Sequence, residues 1–265
     1  MDALVRSFDW IQPLALLFFV VALAVPERRW PRRVGALDAG KRWRTNLGLY
    51  ALGLVLLWLV MEPVRLAAIR LVSLGAWHGL AALPLPDVAK VLLGVAVADL
   101  VHFGLHWLSH HIPLLWRLHQ VHHADAQFDV STSVRHHPLE VLALGALSIM
   151  LCAALGVPLL SLLIYALLLV PVSVFCHANV ALPPRADAVL RGFVVTPDMH
   201  RVHHAARMDE GNANFGMVFP WWDRVFRTYR AQPQHGHEAM VLGLMAPARS
   251  GQGLWASLLL PFARP

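Results

Sequence analysis

Sixteen histidines stand in the 265-residue chain, and 13 of them fall between His102 and His204. They follow a spacing. "DLVHFGLHWLSH" sets His102, His106 and His110 four residues apart, a single stripe on any helix that carries them. "HQVHH" (His119, His122, His123) and "HRVHH" (His200, His203, His204) repeat one pattern. On a helix its members share a face, yet the adjacent pair diverges by about 100° and so reaches two different ions. A lone zinc takes four ligands, whereas His106, His110 and the two triplets offer eight, which points to two metals. Imidazole suits Fe, Zn, Cu and Ni alike, so ligand type does not choose the metal. Reaction class does: zinc hydrolysis rarely uses eight histidines, whereas oxygen activation at paired irons needs two redox centres. His78, His235 and His237 have no partner at ligand spacing and read as ordinary surface or core residues.

The segments that must hold these histidines are apolar. The chain is 57% hydrophobic and 14% charged, which excludes disorder and argues against a cytosolic enzyme. Apolar runs cover Trp10 to Val25, Leu47 to Met61 with a continuation past Glu62 and Pro63 to Leu74, Val88 to Leu105, Val141 to Leu155, and Val157 to Cys176. The last two form a hairpin at Gly156 whose first arm is short for a span, so it is expected to be tilted or re-entrant. Asp2 and Asp9 against one Arg before the first run argue for a membrane helix over a cleaved leader. The loop Arg28–Arg44 carries seven positive residues and the segment Gly75–Asp87 only one acidic charge and no Lys or Arg, so positive-inside counting puts the first in the cytosol and the second outside. Parity then brings the histidines at 102–137, 177 and 200–204 to the cytosolic face. Of the 22 positive residues 20 are Arg, grouped in loops, which reads as membrane sidedness rather than nucleic-acid binding. The same Arg bias suits a GC-rich bacterium and hence a plasma membrane. Cys152 and Cys176 give no disulfide framework. The expected fold is all-α: a polytopic bundle of 4–5 membrane helices with a cytosolic helical cap carrying a dimetal site. Its expected parts are an N-terminal membrane region (1–98), a catalytic domain (99–235) that includes the 141–176 hairpin, and an interfacial tail (236–265).

At these residues the sequence resembles the fatty acid hydroxylase/sterol desaturase superfamily of integral-membrane di-iron oxygenases. The resemblance runs from Asp99 to Tyr229 through "DLVHFGLHWLSH", "LLWRLHQVHH", "RHHPLE", "FCHAN", "TPDMHRVHH", "NANFG" and "WWDRVFRTY". It implies two irons held by His106, His110, His119, His122, His123, His200, His203 and His204. His177 joins them from "CHAN", and His102 and His137 are further candidates. Two positions depart from the family pattern: Trp107 stands where Arg is usual, and Arg227 where Gly is usual. Neither is a ligand, so what they put in doubt is the subfamily and its substrate.

Metal-bound imidazoles donate their second N–H to a carboxylate, carbonyl or water. Asp99, Glu140 and Asp198, with Asp223, are the candidate carboxylates; Asn179, Asn212 and Asn214 are candidate amide partners. Trp221 and Trp222 are expected at the lipid headgroup level. The resemblance further implies O2-dependent hydroxylation or desaturation of a fatty acyl, sterol or isoprenoid-type lipid. With no GxGxxG and no cysteine cluster, electrons must come from a separate donor protein. Two other classes compete: a membrane zinc hydrolase, for which "HEAMV" at His237 lacks the second histidine of H-E-x-x-H, and a non-catalytic metal-binding or transport protein, which would place its ligands within the spans.

Overall fold

The computed structural model describes residues 2–35, 38–74, 79–245 and 253–263, with the backbone alone for 2–10 and 71–74. His78, residues 75–78 of the Lys/Arg-free segment and residues 246–252 of the tail lie outside the described residues. Among the described residues there is no strand, only two isolated bridges, Pro31 to Val180 and Ala205 to Leu242. The fold is all-α.

The long helices are α1 (Asp2–Arg29), α2 (Ala39–Leu74), α3 (Asp87–His111), α4 (Pro113–His123), α5 (Pro138–Ala154) and α6 (Leu159–Cys176). Four of them, α1, α2, α3 and α6, are long and apolar enough to cross a bilayer. At 17 residues α5 is about 25 Å long, short of a hydrocarbon core of about 30 Å, as the short hairpin arm led us to expect. Leu14, Phe18, Trp58 and Leu92 on these helices stay exposed, which suits lipid contact. Shorter helices α7 (Pro184–Leu190), α8 (Pro197–His203), α9 (Met208–Gly211), α10 (Trp221–Val225) and α11 (Gly236–Ala239) make the cap, and α12 (Leu254–Leu259) lies against α2.

α3 continues beyond its apolar run, so His102, His106 and His110 do share one helix. It stops at Ile112, which is extended because Pro113 disfavours a helical residue before it; Pro113 then opens α4, where its missing N–H is no loss. α3 and α6 approach closely at Gly94, where a Cβ would lie 2.3 Å from Ser161 Oγ, a small-on-small contact of the kind membrane helices use.

The bundle has two chemically different ends. At one, the turn between α5 and α6 receives the α2–α3 connection: Leu80 N–H donates to Leu155 O and Ala81 N–H to Gly156 O. Gly79 is obligatory there, with φ +50° and a Cβ position 2.1 Å from the Leu155 carbonyl. At the other end the Arg-rich connection meets the histidine segments. Arg42 makes a bidentate pair with Asp125 (2.8 Å each) and reaches Asp129 at 2.6 Å. Arg32 meets Asp198 at 3.2 Å, and Arg33 N–H donates to Asn179. The Arg28–Arg44 connection and the histidines therefore occupy the same end of the bundle. Most of the fully buried large side chains gather there as well, among them Arg201, Phe215, Met199, Val121 and Val202.

Candidate metal centre

The buried imidazoles fall into two sets. His106 and His110 of α3, His119 and His123 of α4, and His203 of α8 offer ligand atoms that all lie within 4.8 Å of one another. His122 of α4, His177 after α6, and His200 and His204 at α8 form the second set on the same criterion. The two H-x-x-H-H triplets are shared out in opposite senses. α4 gives its i, i+4 pair to the first set and His122 to the second; α8 gives its i, i+4 pair to the second and His203 to the first. The roughly 100° between adjacent helical residues makes this division. α3 completes the first set with two rings and His177 completes the second with one. Each set thus draws on chain from both sides of the 141–176 hairpin, and the two touch: His123 and His204 stack with ring centroids 4.5 Å apart.

The ring orientations fix which nitrogen faces inward. His106 Nδ1 donates to Phe215 O (2.9 Å), His203 Nδ1 to Ala213 O (2.9 Å), His177 Nδ1 to Ser173 O (2.7 Å) and His122 Nδ1 to Arg135 O (3.2 Å). His110 Nδ1 meets Asn212 Oδ1 at 3.1 Å and His119 Nδ1 meets Glu140 Oε1 at 2.6 Å. With Nδ1 holding the proton, the Nε2 of each of these six rings presents a lone pair. The Nε2 atoms of His106, His110, His203 and His204 are buried with no hydrogen-bond partner among the described residues. Those of His119 and His123 face each other at 3.2 Å, His122 and His177 at 3.2 Å, and His177 and His200 at 3.1 Å. Opposed lone pairs repel unless a cation sits between them. Metal–nitrogen bonds near 2.1 Å put neighbouring ligands about 3.0–3.4 Å apart, which matches these distances. The residues fit two metal ions.

Burial holds His122, His123, His200, His203 and His204 far below the usual imidazole range, with neighbouring imidazoles adding to it, and pushes His177 down to about 3. Unfolded, the same groups protonate near pH 6.5, so below that pH the unfolded state binds more protons than the folded one. Metal-stripped protein in detergent should melt at a constant temperature between about pH 7.5 and 9 and at progressively lower temperatures from about pH 6.5 downward. Equal midpoints at pH 5 and 7.5 would contradict a cluster of buried neutral imidazoles.

Outer partners are only partly those expected. Glu140 is buried and accepts from His119; its other oxygen lies 3.5 Å from His136 Nδ1. Removing such a partner weakens metal affinity about 10–100-fold. Glu140→Gln keeps an acceptor but loses the charge, and should release its metal to a chelator at correspondingly lower chelator concentration than the parent. Asn212 takes His110. Asp99 receives no imidazole: it accepts from Val218 N–H (3.0 Å), Phe219 N–H (3.1 Å) and Trp222 Nε1–H (2.9 Å). Trp222 is therefore turned inward, while Trp221 is 42% exposed. Asp223 likewise accepts from Phe215 and Gly216 N–H at 2.8 Å. These two carboxylates hold the strand of chain that supplies the Phe215 carbonyl. Asn179 bonds to Arg33, and Asp198 faces Arg32 and His237, so neither meets an imidazole of the two sets. Asn214, at φ 57°, ties Met199 O to Arg230.

His102 and His137 lie outside both sets. His102 Nδ1 bonds to Ala98 O and its Nε2 approaches Ser148; His137 caps α5 by accepting from Leu139 N–H. His136, passed over in the sequence in favour of His137, stacks flat on His122 with centroids 4.4 Å apart and forms a third group with His119 and Glu140. Its signal was present: it stands four residues before Glu140, one helical turn away. Arg227 adopts φ 60°, the left-handed region that explains why glycine is usual at that position.

A cavity of about 290 Å³ opens against both sets. His106, His119, His122 and His177 form its floor, and Val141, Leu144 and Leu169 of α5 and α6 are among its apolar walls. An aliphatic chain arriving from the bilayer between these helices would end at the histidines.

A family model for "Fatty acid hydroxylase" matches residues 91–228. Among curated proteins, the ornithine lipid hydroxylase OlsE of Rhizobium tropici is 30% identical over 183 residues, covering 68% of this chain and 52% of that protein. The alkylglycerol monooxygenase of Homo sapiens is 28% identical over 152 residues, 56% of this chain and 32% of its own. The C-4 methylsterol oxidase erg25 of Schizosaccharomyces pombe is 28% identical over 241 residues, 84% of this chain and 71% of its own. The chain thus spans about half the length of the first relative and a third of the second. No solved structure matches the chain. Since the matched region carries every histidine of both buried sets and exceeds half the sequence, the chain belongs to the fatty acid hydroxylase family.

Proposed function

We propose that the chain is a membrane-embedded di-iron oxygenase that hydroxylates or desaturates the aliphatic part of a bilayer lipid, using O2 and electrons from a separate donor protein. The observation that carries this reading is the convergence of two sets of buried imidazoles beside an apolar-walled cavity. The relatives support it by name, being a lipid hydroxylase, an alkylglycerol monooxygenase and a methylsterol oxidase. In this reading His106, His110, His119, His123 and His203 hold one iron and His122, His177, His200 and His204 the other. Bound iron would supply oxygen activation and removal of hydrogen from an unactivated C–H. The protein's part is positional. Backbone carbonyls, Asn212 and Glu140 keep Nδ1 protonated and Nε2 free on His106, His110, His119, His122, His177 and His203, and the walls of α5 and α6 exclude water and align the chain. The N-terminal region 1–98 would anchor this catalytic part, residues 99–235, with 236–265 at the interface.

Metal analysis of purified protein, followed by O2 uptake and lipid profiling with a chemical reductant, tests the reading. Two irons per chain and an oxygenated lipid are expected; zinc with hydrolytic release, or metal without O2 uptake, would replace it with the zinc hydrolase or the metal-binding alternative.

This reading has the site on the cytosolic face of a bacterial plasma membrane; the Arg28–Arg44 connection at its end of the bundle supports the side, and the Arg-rich composition the bacterial source. Ala126→Cys, at that end, should label with an impermeant thiol reagent only after lysis, and Leu83→Cys, at the other, in intact cells. Cys152 and Cys176 are buried and give little background. Labelling of position 126 in intact cells would reverse the orientation.

A further inference from the structure

A second cavity, of about 600 Å³, lies on the far side of α8 and shares no lining residue with the first. Its walls come from separate stretches of chain: Arg32 from the α1–α2 connection, Asp187 and Arg191 at α7, Asp198 on α8, Arg224 on α10 and His237 on α11. Around it stand four guanidinium groups (Arg32, Arg191, Arg201, Arg224) and three carboxylates (Asp187, Asp198, Glu238).

The buried hydrogen-bonding capacity left over is mostly on the donor side. Asp187 is used up, with one oxygen accepting from Thr196 Oγ1–H at 2.6 Å and the other meeting Arg191 Nε at 2.6 Å. Both oxygens of Asp198 accept from Arg32 Nε–H at 3.2 Å. Arg32 also pairs with Glu238. By contrast Arg191, 5% exposed, places Nη1 on Ala231 O (2.6 Å) but leaves Nη2 with no partner among the described residues. Among the described residues His237, 4% exposed, has no hydrogen-bond partner at either ring nitrogen; Asp198 Oδ2 lies 3.5 Å from Nε2. Behind them Arg201 leaves Nε and Nη2 unpartnered. A buried donor without an acceptor is destabilising, more so when charged, and three residues around one cavity share the defect. An acceptor-rich ligand removes it.

We propose that this cavity is a binding site for a phosphate group, held by Arg191 and His237 with Arg32 at its edge. Guanidinium matches phosphate in charge and in paired N–H geometry, and a phosphate offers enough acceptors to serve donors arriving from different elements. The site's volume leaves room for what the phosphate is attached to, and Ala181, Leu182, Pro184 and Ala188 give that remainder an apolar border. Burial, opposed by Asp198 and reinforced by Arg32, Arg201 and Arg191, pushes His237 down to about 4, so at neutral pH the ring is uncharged and donates a single N–H. Because the donors come from the α1–α2 connection, α7 and α11, the bound group would tie these segments together around the helix that carries His200 and His203. The proposal does not depend on the metals or on the reaction.

The test is a binding measurement on the full-length, metal-loaded protein. Inorganic phosphate is titrated in neutral detergent at constant ionic strength against chloride, and the protein is also placed in phosphatidylcholine nanodiscs with and without phosphatidylglycerol, where retained lipid is identified by mass spectrometry. Saturable phosphate binding with no retained phosphatidylglycerol identifies a soluble phosphate compound as the occupant. Retained phosphatidylglycerol that phosphate displaces identifies a lipid headgroup. In either case Arg191→Gln should weaken binding at least tenfold, about the loss expected for one charged hydrogen-bonding partner. Arg191 also supports Ala231 and Asp187, so His237→Gln, which removes no existing hydrogen bond, is the second variant, with a severalfold loss and unchanged melting in the absence of phosphate. The proposal is overturned by absence of saturable binding in both arms, or by binding that a folded His237→Gln and a folded Arg191→Gln both retain at parental affinity.

Discussion

His203→Ala should take the purified protein from about two bound irons per chain to about one, and His122→Ala should do the same from the other set. Turnover should fall in both by more than the roughly 10–100-fold that loss of an outer partner brings, because each residue is itself a proposed ligand. The two variants are informative together. His203 sits with the rings of α3 and His122 with His177, so residual iron in each should report a different environment by Mössbauer or absorption spectroscopy. The helices should remain inserted, since burial of α1, α2, α3 and α6 in lipid does not depend on the site. Unchanged helicity and elution volume would establish that. His102→Ala and His137→Ala, whose rings bond to Ala98, Ser148 and Leu139, should keep both ions. Should His203→Ala keep two ions and parental turnover, His203 is not a ligand.

How far the sequence could be read follows from what each residue's neighbours contribute. The two H-x-x-H-H triplets carry their own geometry: once each is helical, the angular gap between His122 and His123, and between His203 and His204, dictates that they serve different sets. That much needed only a helical period. The limits of the α3 stripe were not legible. His102 continues the same four-residue spacing as His106 and His110, and only the position of α8 and of the chain around Phe215 decides that the sets begin one turn later. The partners of the Nδ1 atoms were hidden for a different reason. Four of them are main-chain carbonyls, of Phe215, Ala213, Ser173 and Arg135, and a carbonyl has no residue type to recognise. Glu140 could be named in advance because it is a side chain; Asp198 and Asn179 were named for the same reason, yet they face the Arg-rich connection. Spacing places a carboxylate near a metal ligand along the chain but cannot tell which side of a short helix such as α8 it occupies.

Asp99 illustrates the same limit and leads to a measurable consequence. It stands seven residues before His106 on one helical side, which suggested direct contact. The carboxylate is instead fully buried against Val218, Phe219 and Trp222, while His106 bonds to Phe215 three residues upstream. Its influence on His106 is therefore carried by the chain between 215 and 219, with Asp223 fastening the other side of the same turn. Asp99→Ala strands two backbone N–H groups and an indole N–H in a dry site, a loss of about 3–5 kcal/mol if the carboxylate acts as an ion with charge-assisted hydrogen bonds. α3 stays helical and inserted, so the loss should be localised. Hydrogen exchange should rise at Phe215–Phe219, and the first set, which includes His106, should release its ion to a chelator about 10–100 times more readily than the parent. Asp99→Asn retains one acceptor oxygen and should lie between. Asp198→Ala, whose carboxylate meets Arg32 at the outer face of α8, should leave metal retention unchanged. If Asp99→Ala held its ions as firmly as the parent while exchange at 215–219 rose, the Phe215 carbonyl would not be what orients His106.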